Sequence, residues 1–183
     1  VYTNPSFVIN GAFVKKFHHG YVPCCMRIDK YIRYDEPNVL KVSIRGTALP
    51  NSRWYSGQGI YRDAWLLTGD RLHISQDGLH VTTLDCSEEL AQIEVTADVW
   101  NEGPSAREGY AELTVLDGSG KVVAERKARF YADANGKVLV RQRLTLDKPN
   151  LWDVDSPNLY SVKCRLTDRG TGETVDCEEA VFG

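Results

Sequence analysis

Apolar and polar residues alternate with a period of two along most of this chain, most cleanly between Leu90 and Asn101. There Ile93, Val95, Ala97 and Val99 alternate with Glu94, Thr96 and Asp98. Successive side chains of an extended strand point to opposite faces, so such a run has one buried and one wetted face. Helical spacing is almost absent. The expected fold class is therefore all-β. At 183 residues, 42% hydrophobic and 26% charged, the chain has enough apolar material for one or two globular domains.

In the first part, strands are expected at 6–9, 13–17, 24–28, 39–44 and 61–67, with a single helical turn inside 29–34. Asn10-Gly11 is the strongest turn signal there, because a type I′ hairpin needs positive φ at two successive residues. From Arg71 the pattern becomes more regular, with strands expected at 79–84, 90–101, 110–116, 122–130, 137–146, 159–167 and 173–182. Seven such strands match the number in an immunoglobulin-like sandwich. Asp117-Gly118-Ser119-Gly120 and the stretch from Asp168 to Gly172 supply tight turns. A domain boundary is expected near 71–74. No Pro/Ser-rich linker marks it, which predicts packed rather than tethered domains.

The balance of 22 Lys+Arg against 25 Asp+Glu gives a net charge of -3, leaving no basic surplus for phosphates. Neither nucleic acid nor a membrane surface is an expected partner. Apolar runs are too short to span a bilayer, and residues 1–10 carry no basic leader before an apolar block. The compartment stays open. Five cysteines fit no zinc spacing, and free, mostly buried thiols are expected. A last hairpin symmetric about Gly170-Thr171 would place Cys164 opposite Cys177 on one face, as two reduced thiols or as a cross-strand disulfide. His18-His19, His73 and His80 lack ligand spacing, so no metal site and no cofactor are expected.

The densest cluster of unusual residues runs from Asn51 to Asp63 and combines Trp54 and Tyr55, Arg53 and Arg62, the Asn51 amide and two glycines. Aromatic faces beside planar polar groups suit a sugar, whose ring stacks while its hydroxyls bond. A plainer alternative is a glycine-rich loop whose aromatics close a domain interface. No catalytic carboxylates are expected. Glu88-Glu89 and Glu178-Glu179 diverge as strand neighbours, and Asp153 and Asp155 lie in a Pro-bounded loop. Trp152, Pro157 and Tyr160 are expected to plug one end of the second sandwich.

The string from Ser52 to Leu66, SRWYSGQGIYRDAWL, resembles the signature that ends the N-terminal sugar-binding domain of family 2 glycoside hydrolases, bacterial β-galactosidases above all. Phe7-Val8-Ile9-Asn10-Gly11, Gly20-Tyr21-Val22-Pro23 and the stretch from Ile28 to Ile32 resemble earlier strands of that domain. Ile74 to Thr83 and the stretch from Leu151 to Tyr160 resemble motifs of the family's immunoglobulin-like domain. The resemblance implies residues 1–72 as the C-terminal part of a jelly-roll sugar-binding domain and 73–183 as an immunoglobulin-like sandwich. The jelly roll is then truncated, and an open sheet edge favouring a homo-oligomer is expected. The resemblance further implies retaining hydrolysis of terminal β-galactosides by two glutamates in a (β/α)8 barrel beyond this chain. This part would support the barrel and lend Asn51, Arg53 and Trp54 to carbohydrate substrate binding. Competing readings are a β-glucuronidase of the same family, a free-standing carbohydrate-binding module and an adhesion scaffold.

Overall fold

A computed structural model describes residues 1–2, 4–45 and 57–183, and these fall into two compact units, Val1–Leu66 and Leu67–Gly183. All regular structure among them is strand, apart from one 3-10 turn, Asp29–Tyr31.

The first unit holds a three-stranded antiparallel sheet, β2-β1-β3, formed by β1 (Ser6–Ile9), β2 (Ala12–Lys16) and β3 (Leu40–Ser43). Asn10 and Gly11 join β1 to β2 with φ of 51° and 85°, the pair of positive values that a type I′ turn requires. Asn10 also does more than turn the chain. Its Nδ2 donates to the carbonyl of Tyr31 at 2.8 Å and to Oδ1 of Asn38 at 2.7 Å, and its Oδ1 accepts the N–H of Val39 at 3.0 Å. One amide thus ties the hairpin, the 3-10 turn and the start of β3 together. Phe7 and Ile9 point from the central strand into a small core, where Phe7 meets Phe17 edge-on at 5.7 Å. The strands expected at 24–28 and 61–67 do not form. β1 already carries a partner on each side, and these two segments run as coil with no neighbouring ladder.

The second unit is a sandwich of a three-stranded sheet, β4-β5-β8, on a four-stranded sheet, β10-β9-β6-β7. Its strands are β4 (Leu72–Cys86), β5 (Leu90–Asn101), β6 (Arg107–Leu116), β7 (Val122–Ala132), β8 (Gly136–Asp147), β9 (Tyr160–Asp168) and β10 (Thr174–Phe182). The seven expected strands are present. Ile93, Val95, Ala97 and Val99 of β5 face Ala111, Leu113 and Val115 of β6 and Val162, Cys164 and Leu166 of β9 in one buried cluster. Each buried Val, Leu or Ile contributes about 1.5–3 kcal/mol relative to exposure. At one end the buried Asn101 donates to the carbonyls of Ser105, Ala132 and Asp133 and accepts the N–H of Gly103. Both ends of its buried amide are therefore hydrogen-bonded to the backbone.

Two strands depart from expectation by bulging. β4 begins at Leu72 rather than 79, and its register jumps from Ile74 opposite Val99 to Leu79 opposite Ala97. The extra residues include Asp77 at φ 52°, and they break the alternation that would have marked the strand. β10 starts as expected, with Thr174 opposite Thr167, but Val175 bulges out and Asp176 then faces Leu166. Cys164 therefore lies opposite Glu178, not Cys177, because a one-residue slip exchanges the faces of every later side chain. The five cysteines form no disulfide. Only Cys164 is buried, Cys24 is half-buried, and Cys25, Cys86 and Cys177 are exposed, against the expectation of mostly buried thiols.

Candidate functional site

Asn51, Arg53 and Trp54, the residues expected to meet substrate, lie outside the described residues, as does Tyr55. The residues that follow them are well anchored. Gly59 exchanges two backbone hydrogen bonds with Tyr2, at 2.9 and 3.0 Å, and the Tyr61 hydroxyl donates to the carbonyl of Gly20 at 2.6 Å. Gly20 is required here, since a Cβ at that position would lie 2.0 Å from the Tyr2 ring. Tyr2 in turn meets Tyr21, with ring centroids 5.3 Å apart. Arg62 stacks over Tyr61 at 5.4 Å from the ring centroid. The downstream half of the aromatic-glycine cluster is thus fixed to the N-terminal segment by backbone bonds and ring packing. Sequence reasoning had no signal for Tyr2 and marked Gly20 only as part of a family-like stretch, since their roles arise from this long-range approach.

An open depression of about 710 Å³ at one end of the sandwich is lined by Arg107, Glu108, Asp168 and Arg169 among others. Its charges are matched. Arg107 bonds Asp168 at 2.7 Å and Asp70 at 2.9 Å, while Glu108 takes Arg129 at 2.7 Å together with Arg169. Burial pushes the Asp168 carboxyl up, but the Thr171 N–H and the Arg107 guanidinium overcome it and hold the group below its usual range. Hydrogen bonds from Arg169 and then Arg129 do the same for Glu108. Both carboxylates stay ionised at neutral pH, so neither can serve as the proton donor that glycoside cleavage requires. The arrangement is an electrostatic clamp across the end of the sandwich.

The remaining acidic pairs are no better placed. Glu179 points to the outer face, 3.7 Å from Lys163, while Glu178 lies on the opposite face. Asp153 and Asp155 are exposed, and Oδ1 of Asp153 is occupied by the N–H of Asp155 at 3.0 Å. No group of three or more His, Cys, Asp or Glu among the described residues is positioned to hold a metal ion. Tyr160 packs into the end of the sandwich as expected, stacked on Phe182 at 5.7 Å with its hydroxyl accepting the Asn150 N–H. Trp152 does not. It pairs with Pro157 through a lone backbone bridge and stays 53% exposed, because the short 152–157 turn holds it outside the core.

Sequence and structure comparisons place this architecture. The sequence profile of the glycosyl hydrolases family 2 matches residues 72–183. Beta-galactosidase BoGH2A of Bacteroides ovatus is 36% identical over 166 residues, covering 91% of this chain and 20% of that protein. The crystal structure of a family 2 member from Bacteroides cellulosilyticus superposes on the whole chain with a TM-score of 0.95 at 28% identity, over 25% of its own length. A β-glucuronidase of Bacteroides uniformis matches 99% of this chain and 23% of its own, with a TM-score of 0.89 and 27% identity. The chain spans about a fifth of the length of the curated relatives it matches. With more than half of its residues matched by the family profile, the chain belongs to the glycosyl hydrolases family 2.

Proposed function

We propose that these residues are a non-catalytic part of a β-galactosidase-like enzyme that hydrolyses terminal β-galactosides with retention. In this reading, 1–72 are the C-terminal part of a jelly-roll sugar-binding domain and 73–183 an immunoglobulin-like domain. Together they buttress a (β/α)8 barrel of the same polypeptide, and Asn51, Arg53 and Trp54 line the galactose subsite. The observation that carries the reading is the 36% identity to a β-galactosidase across 91% of this chain. The matched charges of the sandwich support a supporting role, since the carboxylates of the depression at its end are held ionised by arginines. Remote positioning of this kind contributes to rate through substrate orientation.

A β-glucuronidase of the same family is the second reading, favoured by the 0.89 TM-score to the Bacteroides uniformis enzyme. In the longer protein carrying this segment, Arg53→Ala and Trp54→Ala should raise KM for a nitrophenyl β-galactoside about tenfold, with kcat within about twofold. An unchanged KM in both variants contradicts the proposed subsite. A kcat/KM that favours the β-glucuronide over the β-galactoside selects the second reading. A homo-oligomer is proposed from the open edge expected of a partial jelly roll, and light scattering that gives a strict monomer contradicts it.

A further inference from the structure

The connections of the sandwich divide into two kinds. Those at 87–89, 102–106, 117–121, 133–135 and 169–173 contain no Val, Leu, Ile, Phe, Tyr or Trp. The connection from β8 to β9 is different. Within nine residues it carries Leu151, Trp152, Val154 and Leu159, all exposed, with Val154 at 82%. The next residue, Tyr160, is buried.

Hydrogen bonds within the connection hold it in shape. Asp153 and Ser156 exchange backbone bonds at 3.0 and 3.2 Å, and the N–H of Asn158 donates to the Ser156 carbonyl at 2.8 Å. Nδ2 of Asn158 donates to the carbonyl of Leu151 at 2.9 Å, and the Asn150 N–H reaches the Tyr160 hydroxyl at 2.7 Å. The turn is thus bonded to itself and presents its apolar side chains in one arrangement. A preorganised surface of this kind loses little freedom on being covered, and Trp is among the side chains that most often anchor an interface. Asp153 and Asp155 flank Val154 and give the patch an acidic margin.

The last residue points to what covers the turn. Gly183 lies against the indole: a Cβ there would stand 3.0 Å from Cδ1 of Trp152 and 3.3 Å from the carbonyl oxygen of Asn158. β10 therefore delivers the chain directly to the 151–159 turn. This chain spans a fifth of β-galactosidase BoGH2A and a quarter of the Bacteroides cellulosilyticus family member. In the longer polypeptide of the reading above, the residues after Gly183 begin beside Trp152, at an effective concentration that a separate molecule does not match.

We propose that the 151–159 turn is the docking surface for the part of the same polypeptide that follows Gly183. Trp152 and Val154 sit in an apolar recess of that part, and basic groups at its margin meet Asp153 and Asp155. The proposal rests on the barrel-bearing reading above and names the surface by which the sandwich holds that barrel.

The test is hydroxyl-radical footprinting, read by mass spectrometry, of the 183-residue chain and of the longer protein that carries it. Trp152 should oxidise at least about fivefold more slowly in the longer protein, at every protein concentration. Val154→Asp supplies a second arm, because it places a charge inside the recess. It should at least about double the Trp152 rate in the longer protein and leave that rate unchanged in the 183-residue chain, where the position is open to water. Equal Trp152 oxidation in the two wild-type proteins overturns the docking surface, as does a Val154→Asp variant whose Trp152 stays fully shielded in the longer protein. Shielding that disappears on dilution assigns the patch to a second copy and overturns the same-chain partner. These readouts do not depend on which β-glycoside is cleaved. A longer protein that shields Trp152 yet leaves β-galactosides intact removes the functional reading and keeps the docking surface.

Discussion

The two units are written in the same alternating pattern and use it differently. Leu67–Gly183 closes on itself: Leu72, Ile93, Val99, Val115, Val162 and Leu166 are almost wholly buried between its sheets. Both outer faces carry cross-strand ion pairs, such as Glu94 with Arg141 and Arg143 on one and Glu112 with Lys127 on the other. Val1–Leu66 buries Phe7 and Ile9 but leaves Trp65 82%, Tyr34 79% and Leu66 71% exposed. A sandwich with two inner faces can satisfy its strands internally, whereas a single three-stranded sheet of short strands cannot. The second unit thus holds the large buried core, and the described residues of the first bury a small one.

That contrast can be broken most decisively in the cores. Leu166→Ala should destabilise the main denaturant transition by about 2–5 kcal/mol, whereas Phe7→Ala should leave that transition in place. Equal shifts in both variants would show that the units melt as one. Asp168→Asn should cost about 2 kcal/mol at neutral pH, since it removes the charge that Arg107 and the Thr171 N–H address. The sign follows from the depressed carboxyl. The stabilisation is present above the unfolded value of 3.8 and is lost as pH falls through the lower folded one, so wild type and variant should converge in acid. Denaturant titrations at pH 7 and pH 2.5 measure this.

Gly20→Ala should sharpen the comparison from the other side. The added methyl meets the Tyr2 ring, and overpacking of this kind costs about 1–3 kcal/mol. Limited proteolysis should then cut within 1–66 sooner while the sandwich stays resistant. Lys127→Ala should change stability least, by less than about 1 kcal/mol, because its pair with Glu112 is exposed to solvent.

The regular parts of this fold could be read from sequence because their causes are local. Asn10-Gly11 makes its turn through its own backbone freedom, and β5 announces its buried face one residue in two. The misreadings have causes that are not local. The Val175 bulge is compatible with the same hairpin letters as an unbulged strand, yet it moves Cys177 to the outer face and Glu178 inward. The strand expected from 79 begins at Leu72, because the bulge around Asp77 interrupts the alternation without ending the ladder. Segments 24–28 and 61–67 have strand-like letters and no ladder to join. Of the candidate site, the sequence makes the aromatic-glycine cluster conspicuous, but its anchoring by Tyr2 and Gly20 depends on contacts about forty or more residues apart.

A purified preparation of the 183-residue chain, assayed with chromogenic β-galactosides and β-glucuronides beside a mock preparation, measures the supporting role directly. The account predicts turnover indistinguishable from the mock. Hydrolysis that exceeds the mock and disappears on Glu178→Gln or Asp168→Asn would place bond cleavage within these strands and contradict it.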